Sequence, residues 1–186
     1  MVLVSLGSNC AVAHQLDKLN LRKEAYPFDW AKIKLQTLNQ ILSYDFLDFT
    51  NMSVQSFSPK HFAFGKKDAG SYIISNKYGI SFAHEVMDIC EFSEFIEKQT
   101  RRVDRFRKLS NPTFVRLETS NIPKSYNQHY DKLISLLTEY FTDFKLIVIS
   151  NNPITHDKIK WVRLENFDED WTYSKLDWVK IFNLEN

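Results

Sequence analysis

The first sixteen residues decide the fold, and they read MVLVSLGSNCAVAHQL. Residues 2–6 form a short apolar run that ends at Gly7, and a helical pattern of apolar residues begins at Ala11. The simplest interpretation is a buried strand, a tight turn and the start of a helix. Ligands of open α/β sheets bind beyond the carboxyl ends of the strands. We therefore expect Ser8 and Asn9 in the turn to be substrate-binding residues, with Asn9 also capping the helix.

Cys10 follows these residues at the predicted start of the helix. A helix start presents unpaired backbone N–H groups and the positive end of the helix dipole. A thiol in that place can have a lowered pKa, and the thiolate is the reactive form. Free cysteines are also among the most buried residue types, and an inert thiol at a strand–helix junction is the commoner alternative. The residues alone leave both interpretations open.

Composition restricts the class of protein. A chain of 186 residues with 44% apolar residues suits a single domain, residues 1–186, with its own core. The 24 Lys and Arg residues balance 23 Asp and Glu residues, which argues against a nucleic-acid partner. Two cysteines are too few for a disulfide framework or a cysteine zinc site. His, Cys and carboxylate residues show no metal-ligand spacing, and Gly7 begins neither a P-loop nor a G-x-G-x-x-G run, so we expect no metal or cofactor. No apolar run is long enough to cross a membrane, and a cytoplasmic protein is predicted.

Helical and strand patterns alternate along the chain. This alternation predicts an α/β fold with a mainly parallel sheet of about five strands flanked by helices. A β-hairpin is predicted before His84, and an irregular aromatic insertion is predicted over residues 46–64. The predicted strands are 2–6, 71–74, 78–82, 113–117, 145–150 and 159–164, and the predicted helices are 10–21, 31–42, 92–109, 130–141 and a short one within 171–182.

A cysteine nucleophile needs a base, normally a histidine, and a group that orients the base. Of the five histidines, His84 directly follows a β-rich run, and catalytic groups collect at strand ends in α/β folds. A structural histidine is the alternative. Asp29 lies among aromatic residues, and a buried carboxylate needs a partner. It could orient His84 or cap the helix expected after it. Cys90 has apolar neighbours and is predicted to be a passive core thiol.

The run from Arg101 to Lys108 is basic, in contrast to the balanced charge of the whole chain. Arg101 and Arg105 share a helical face. They could be solvated and paired with acidic neighbours, or they could contact an anionic substrate. The aromatic residues of the segment 46–64 and of the tail could form a surface for self-association.

Several of these pieces occur together in a known family. The chain resembles a domain family of bacteria and large DNA viruses in a series of short segments that occur in the same order. These segments are SLGSNC at 5–10, LR at 21–22, YPFDW at 26–30, GISFAH at 79–84, RR at 101–102 and RF at 105–106. Members are predicted to be papain-like cysteine peptidases. The resemblance implies that Cys10 is the nucleophile and His84 its histidine, with Glu85 as the acidic residue that follows. It assigns no third catalytic residue, so Asp29 is our inference.

The turn Gly7-Ser8-Asn9-Cys10 also resembles, more loosely, a Gly-Asn-Cys turn in capsule-biosynthesis proteins thought to be acyltransferases. The SGNH-type α/β fold of that family agrees with the predicted parallel strands, whereas a papain sheet is antiparallel. Both resemblances imply cysteine-dependent acyl chemistry on a small-molecule or peptide substrate, as hydrolase or transferase. A different class stays open, namely an interaction module that keeps the fold without the activity.

Overall fold

A computed structural model of the protein describes residues 2–59, 70–120, 122–165 and 170–183. The strands are β1 (Val2–Ser5), β2 (Ala31–Lys32), β3 (Met52–Ser58), β4 (Ser71–Asn76), β5 (Ser81–Phe82), β6 (Pro112–Leu117), β7 (Lys145–Ser150) and β8 (Ile159–Arg163). The α-helices are α1 (Ala11–Lys18), α2 (Leu35–Ser43), α3 (Phe92–Arg107), α4 (Asn127–Tyr140) and α5 (Trp178–Ile181). Short 3₁₀ turns at Ile89–Glu91 and Lys124–Tyr126 lead into α3 and α4.

Four strands form a parallel sheet in the order β1-β6-β7-β8. Every residue of β6 is buried, as expected for a strand covered on both faces. Alternate residues serve two different cores. Phe114 and Val148 face the larger core, which includes residues of α2, α3 and α4, whereas Val115 and Ile147 face a smaller core with residues of α1 and α5. The α/β class and the parallel pairing are confirmed, with four strands in place of about five.

A second sheet is antiparallel, in the order β2-β5-β4-β3. The predicted hairpin is its β4–β5 pair. Two predictions were wrong in this region. Residues 52–58 are a strand rather than irregular chain, and Ala31 and Lys32 pair with Phe82 and Ser81 instead of starting a helix. The helix begins only at Leu35. Residues 60–64 of the aromatic insertion lie outside the described residues.

The tail packs against α1 as a short helix, as predicted. Trp178 and Phe182 are buried in the smaller core, where α1 contributes Leu16. Gln15 Nε2 donates a hydrogen bond to the carbonyl oxygen of Thr172 at 2.7 Å. The tail therefore covers part of the helix that begins just after Cys10.

The described aromatic residues divide between core and surface. Phe46 and Phe49 are buried in the larger core, while Phe57 and Trp171 are half exposed. Self-association through an aromatic surface stays a prediction. No helix within the described ranges combines the length and the apolar character that crossing a bilayer requires.

Gly7 lets the chain turn sharply out of β1. Its φ of +72° lies in the left-handed region, and Ser8 follows at +83°. A Cβ on Gly7 would clash with Cγ2 of the buried Ile33, a β-branched side chain with few alternative rotamers. The turn before Cys10 therefore requires glycine for both backbone conformation and space.

Gly7→Ala should lower the free energy of unfolding by about 2–5 kcal/mol, because left-handed backbone strain adds to overpacking against Ile33. Gly79→Ala is the matched control. Gly79 has a φ of +79°, but a Cβ added there would meet no atom of the described residues within 4 Å, so only the backbone cost of about 1–2 kcal/mol applies. Urea denaturation of both variants measures the difference, and equal losses would contradict the close packing at Gly7.

Candidate active site

Cys10 lies at the amino end of α1, directly after the turn that follows β1. Its carbonyl oxygen accepts the first helical hydrogen bond, from His14 N–H at 3.0 Å. Asn9 Oδ1 accepts from Ala11 N–H at 3.0 Å, so the asparagine supports the helix start. The thiol is partly buried, and Sγ lies 3.5 Å from the carbonyl oxygen of Trp30. The strand, turn and helix predicted for this stretch are confirmed.

The electrostatic setting of the thiol differs from the expectation for a helix start. Burial, with a further contribution from the negative charge of Glu85, raises the pKa of the Cys10 thiol to about 12. The expected lowering of the pKa by the helix dipole is therefore overcome. The thiol is therefore protonated at neutral pH, and a neighbouring base has to accept its proton when the sulfur reacts.

Trp30 reaches the thiol because of a tight turn around Asp29. Asp29 N–H donates to Tyr26 O at 3.2 Å, Ala31 N–H donates to Phe28 O at 3.3 Å, and Trp30 has a φ of +59°. Inside this turn the Asp29 residue is only 1% exposed. The turn thus brings the carbonyl oxygen of Trp30 to the Cys10 thiol and buries the carboxylate of Asp29.

Asp29 Oδ2 accepts hydrogen bonds from Tyr26 N–H at 3.0 Å and from Arg22 Nε at 3.1 Å. These two partners are neither His84 nor the start of the next helix, which the sequence suggested. Capping was wrong because that helix begins at Leu35, well past Asp29. Burial raises the pKa of Asp29, although Arg22 and the Tyr26 N–H oppose this effect. That Asp29 orients His84 stays a prediction.

His84 is brought beside Trp30 by strand pairing. Ala31 in β2 lies opposite Phe82 in β5, and the pair is antiparallel. The chain just before Ala31 therefore runs alongside the chain just after Phe82. His84 does follow a strand end, as predicted, but the strand belongs to the antiparallel sheet and not to the parallel one.

Glu85 is fixed by a buried ion pair with α3. Both of its carboxylate oxygens lie 2.7 Å from Arg102 Nη1, and the side chains are 9% and 10% exposed. The charge of Arg102 also opposes the raised pKa of Asp29. Glu85, Arg102 and Asp29 thus form one group of charges around the Cys10 region.

Glu85 and Arg102 of this group line a cleft of about 330 Å³. Trp30, His84 and Glu85 form one part of its wall. The rest of the wall is rich in charge and consists of Asp17, Arg22, Met87, Lys98 and Arg102. Cys10 does not line this cleft itself. Its Sγ contacts the carbonyl oxygen of Trp30, which is a wall residue, and the charge of Glu85, another wall residue, raises the pKa of its thiol.

The other predicted substrate-binding residues have structural contacts. Arg105 donates to the carbonyl oxygen of Ala25 from Nε at 3.1 Å and from Nη2 at 2.8 Å. Arg101 lies on the surface, 3.7 Å from Glu97. Ser8 is buried and lines a different cavity. Substrate contacts by these residues and by Asn9 stay predictions.

Cys90 is not the core thiol that its apolar neighbours suggested, and this prediction was wrong. Cys90 is exposed, in the 3₁₀ turn before α3. Asp88 accepts from Cys90 N–H, and Glu91 Oε2 accepts from Asp88 N–H, forming a capping box. Cys90 belongs to neither hydrophobic core. Within the described part of the chain, no group of three or more His, Cys, Asp or Glu residues could hold a metal ion.

Sequence reasoning missed the Arg102–Glu85 pair and the Arg22–Asp29 pair. A signal for both was available, since Arg22 and Arg102 fall within the family pattern and Glu85 follows His84 directly. Periodicity gave no indication that Arg102 turns inward, because charged residues are ordinarily assigned to the exposed face of a helix. Arg22 lies beyond the end of α1, where helical periodicity makes no prediction.

Comparison with known proteins places the chain in a class. Residues 1–152 match the family described as "Putative papain-like cysteine peptidase (DUF1796)", and the chain belongs to this family. A relative of the whole chain is an uncharacterized protein of Acanthamoeba polyphaga mimivirus. The two are 29% identical over 94% of this chain and 87% of the viral protein. The resemblance noted from the motifs, including its occurrence in large DNA viruses, is confirmed.

Glu85→Gln should accelerate alkylation of Cys10 by iodoacetamide at mildly alkaline pH. Removing the negative charge lowers the thiol pKa, and the thiolate is the reacting species. All measurements use a Cys90→Ala background, because Cys90 is exposed. Glu97→Gln, at the exposed Glu97–Arg101 pair, is the control and should leave the rate unchanged. An unchanged or slower rate in Glu85→Gln would contradict the assigned electrostatics.

Asp29→Asn should lower the free energy of unfolding by about 1–3 kcal/mol, since Arg22 loses its buried partner. Asp17→Asn is the control. Asp17 is exposed and 3.9 Å from the same arginine, so its loss should cost at most about 0.5 kcal/mol. Thermal or urea unfolding measures both variants. Equal losses of unfolding free energy would show that the buried Arg22–Asp29 contact stabilises the protein no more than the exposed Arg22–Asp17 pair.

Proposed function

We propose that the protein is a cysteine-dependent hydrolase in which Cys10 is the nucleophile and His84 the general base. The observation that supports this most is the pairing of β2 with β5. It brings His84 and Trp30 to one cleft, while the Trp30 carbonyl contacts the Cys10 thiol. A cysteine at a helix start and a histidine after a strand of an antiparallel sheet is also the arrangement that the papain-like resemblance implies.

The raised thiol pKa determines the form of the mechanism. Cys10 begins as a thiol, so His84 takes its proton as the sulfur attacks the acyl carbon. The carbonyl oxygen becomes an oxyanion, which backbone N–H groups at Cys10 and the neighbouring turn stabilise. The intermediate collapses to a thioester, and the leaving group receives the proton from His84. Water, deprotonated by His84, then cleaves the thioester and restores the thiol.

Acyl transfer is the second candidate, and one observation favours it. Cys10 follows the first strand of a parallel sheet, which agrees with the looser resemblance to SGNH-type acyltransferases. The first half of the mechanism is unchanged. A hydroxyl or amine of an acceptor then replaces water in the second half. The fate of the thioester separates the two functions.

A non-enzymatic module is the third candidate. The buried setting of Cys10, with its raised pKa, is also what an inert structural thiol would show. This candidate predicts no acyl-enzyme under any condition.

The test uses p-nitrophenyl acetate as a generic acyl donor. We expect a burst of p-nitrophenolate and an acetyl adduct on Cys10 detected by peptide mass spectrometry. Cys10→Ala should abolish both, and His84→Gln should slow acylation by about 10²–10⁴-fold. Cys90→Ala is the control and should stay within a few-fold of the wild type. Added glycerol identifies a transferase, because acetylglycerol then replaces acetate as product.

Absence of any Cys10-dependent adduct in the wild type would contradict both enzymatic candidates and leave the interaction module. An adduct that survives Cys10→Ala but disappears in Cys90→Ala would show that the chemistry belongs to the other thiol. Asp29→Asn can be measured in the same assay. A loss of acylation by orders of magnitude in folded protein would support an orienting role toward His84.

A further inference from the structure

We propose that a second cavity, separate from the cleft beside His84, binds the phosphate group of a small phosphomonoester. The cavity measures about 490 Å³ and lies at the carboxyl edge of the parallel sheet. Ser8 borders it after β1, and Thr119 and Ser120 border it after β6. Ligands of α/β sheets bind at this edge, and the volume is within the range of small-molecule sites.

Two lysines give the cavity its charge. Residues 31–35 alternate between buried and exposed, so Lys32 and Lys34 project to the same side of the chain, and both line the cavity. Neither lysine makes an ion pair or a side-chain hydrogen bond with any other residue in the described ranges. Their charges are therefore available to a ligand in the cavity.

The third cation of the lining is Arg116, which is 1% exposed. Its guanidinium contacts Glu118 at 2.8 Å and the carbonyl oxygens of Leu6 and Ile33 at 3.0 and 3.1 Å. Arg116 and Glu118 therefore neutralise each other in the wall. Lys32 and Lys34 remain as uncompensated positive charges, which select an anionic ligand.

The surrounding groups favour phosphate over a single carboxylate. A phosphate monoester carries up to two negative charges and three acceptor oxygens, which matches two lysines and several hydroxyls. Thr37, Thr119 and Ser120 supply hydroxyls in the lining. The helix α2 begins beside Lys34 with no side-chain cap and no acidic residue in its first turn, so its dipole adds to the same potential.

The cavity is larger than a phosphate ion, which leaves room for an organic body. Tyr78, Gly79 and Tyr126 are among the residues that border this space. The proposal does not depend on the chemistry of Cys10. A Cys10→Ala variant should bind the same ligands, so failure of the proposed hydrolase and failure of this site can be told apart.

Isothermal titration calorimetry at low ionic strength provides the test, with inorganic phosphate, AMP and adenosine as probes. We expect phosphate and AMP to bind and adenosine to bind at least about tenfold more weakly than AMP. The double variant Lys32→Gln/Lys34→Gln should weaken AMP binding at least about tenfold. Both lysines are exposed, so the variant should fold, and its thermal midpoint checks this.

Lys145→Gln is the matched control. Lys145 is an exposed lysine at the amino end of β7, the opposite edge of the same sheet, and its loss should leave binding unchanged. Three results would overturn the proposal. The first is that neither phosphate nor AMP binds, and the second is that AMP and adenosine bind with equal affinity. The third is that Lys145→Gln and the double variant change the affinity for AMP by the same factor.

Discussion

The buried guanidinium of Arg116 is the contact on which the arrangement of the two sheets depends. A buried charge is costly unless every donor finds a partner, and Arg116 satisfies its donors with groups from separate parts of the chain. It holds the carbonyl oxygens of Leu6 and Ile33 together with Glu118, whose carboxylate also accepts from Tyr130 at 2.6 Å. The end of β1, the chain before α2 and the helix α4 are thereby fixed to β6. These hydrogen bonds of Arg116 therefore fix the turn before Cys10 relative to the segment after Trp30.

Much of the fold could be predicted because its signals are local. The helices α3 and α4 and the strands β6 to β8 show clear periodicity or continuous apolar runs, and they formed close to the expected bounds. The elements that were missed depend on distant partners. β2 has two residues and depends on its pairing with β5. β3 is a largely exposed edge strand, and a register shift between Val54 and Ser56 interrupts the alternation that Met52 and Val54 begin.

The candidate site was predictable in its main residues but not in its electrostatics. The position of Cys10 at a strand–turn–helix junction follows from sequence, and His84 follows from its place after a hairpin. The effect of Glu85 on the thiol pKa could not be foreseen, because it results from the antiparallel pairing and from the inward turn of Arg102. The same holds for Asp29, whose partners come from a turn stabilised by Arg22. Charge balance inside a fold is a property of tertiary contacts, which periodicity does not encode.

The docked tail has a consequence for how this family can diversify. The family match ends at residue 152, yet Trp171 and Thr172 lie against the helix that follows the cysteine, with the rings of His14 and Trp171 5.0 Å apart. The surroundings of that helix are therefore set partly by chain that the family match does not include. Evolution can exchange this outer cover while the strand, the glycine turn and the thiol stay as they are. Relatives that share the strand, the glycine turn and the cysteine are thus free to present different molecular faces next to them.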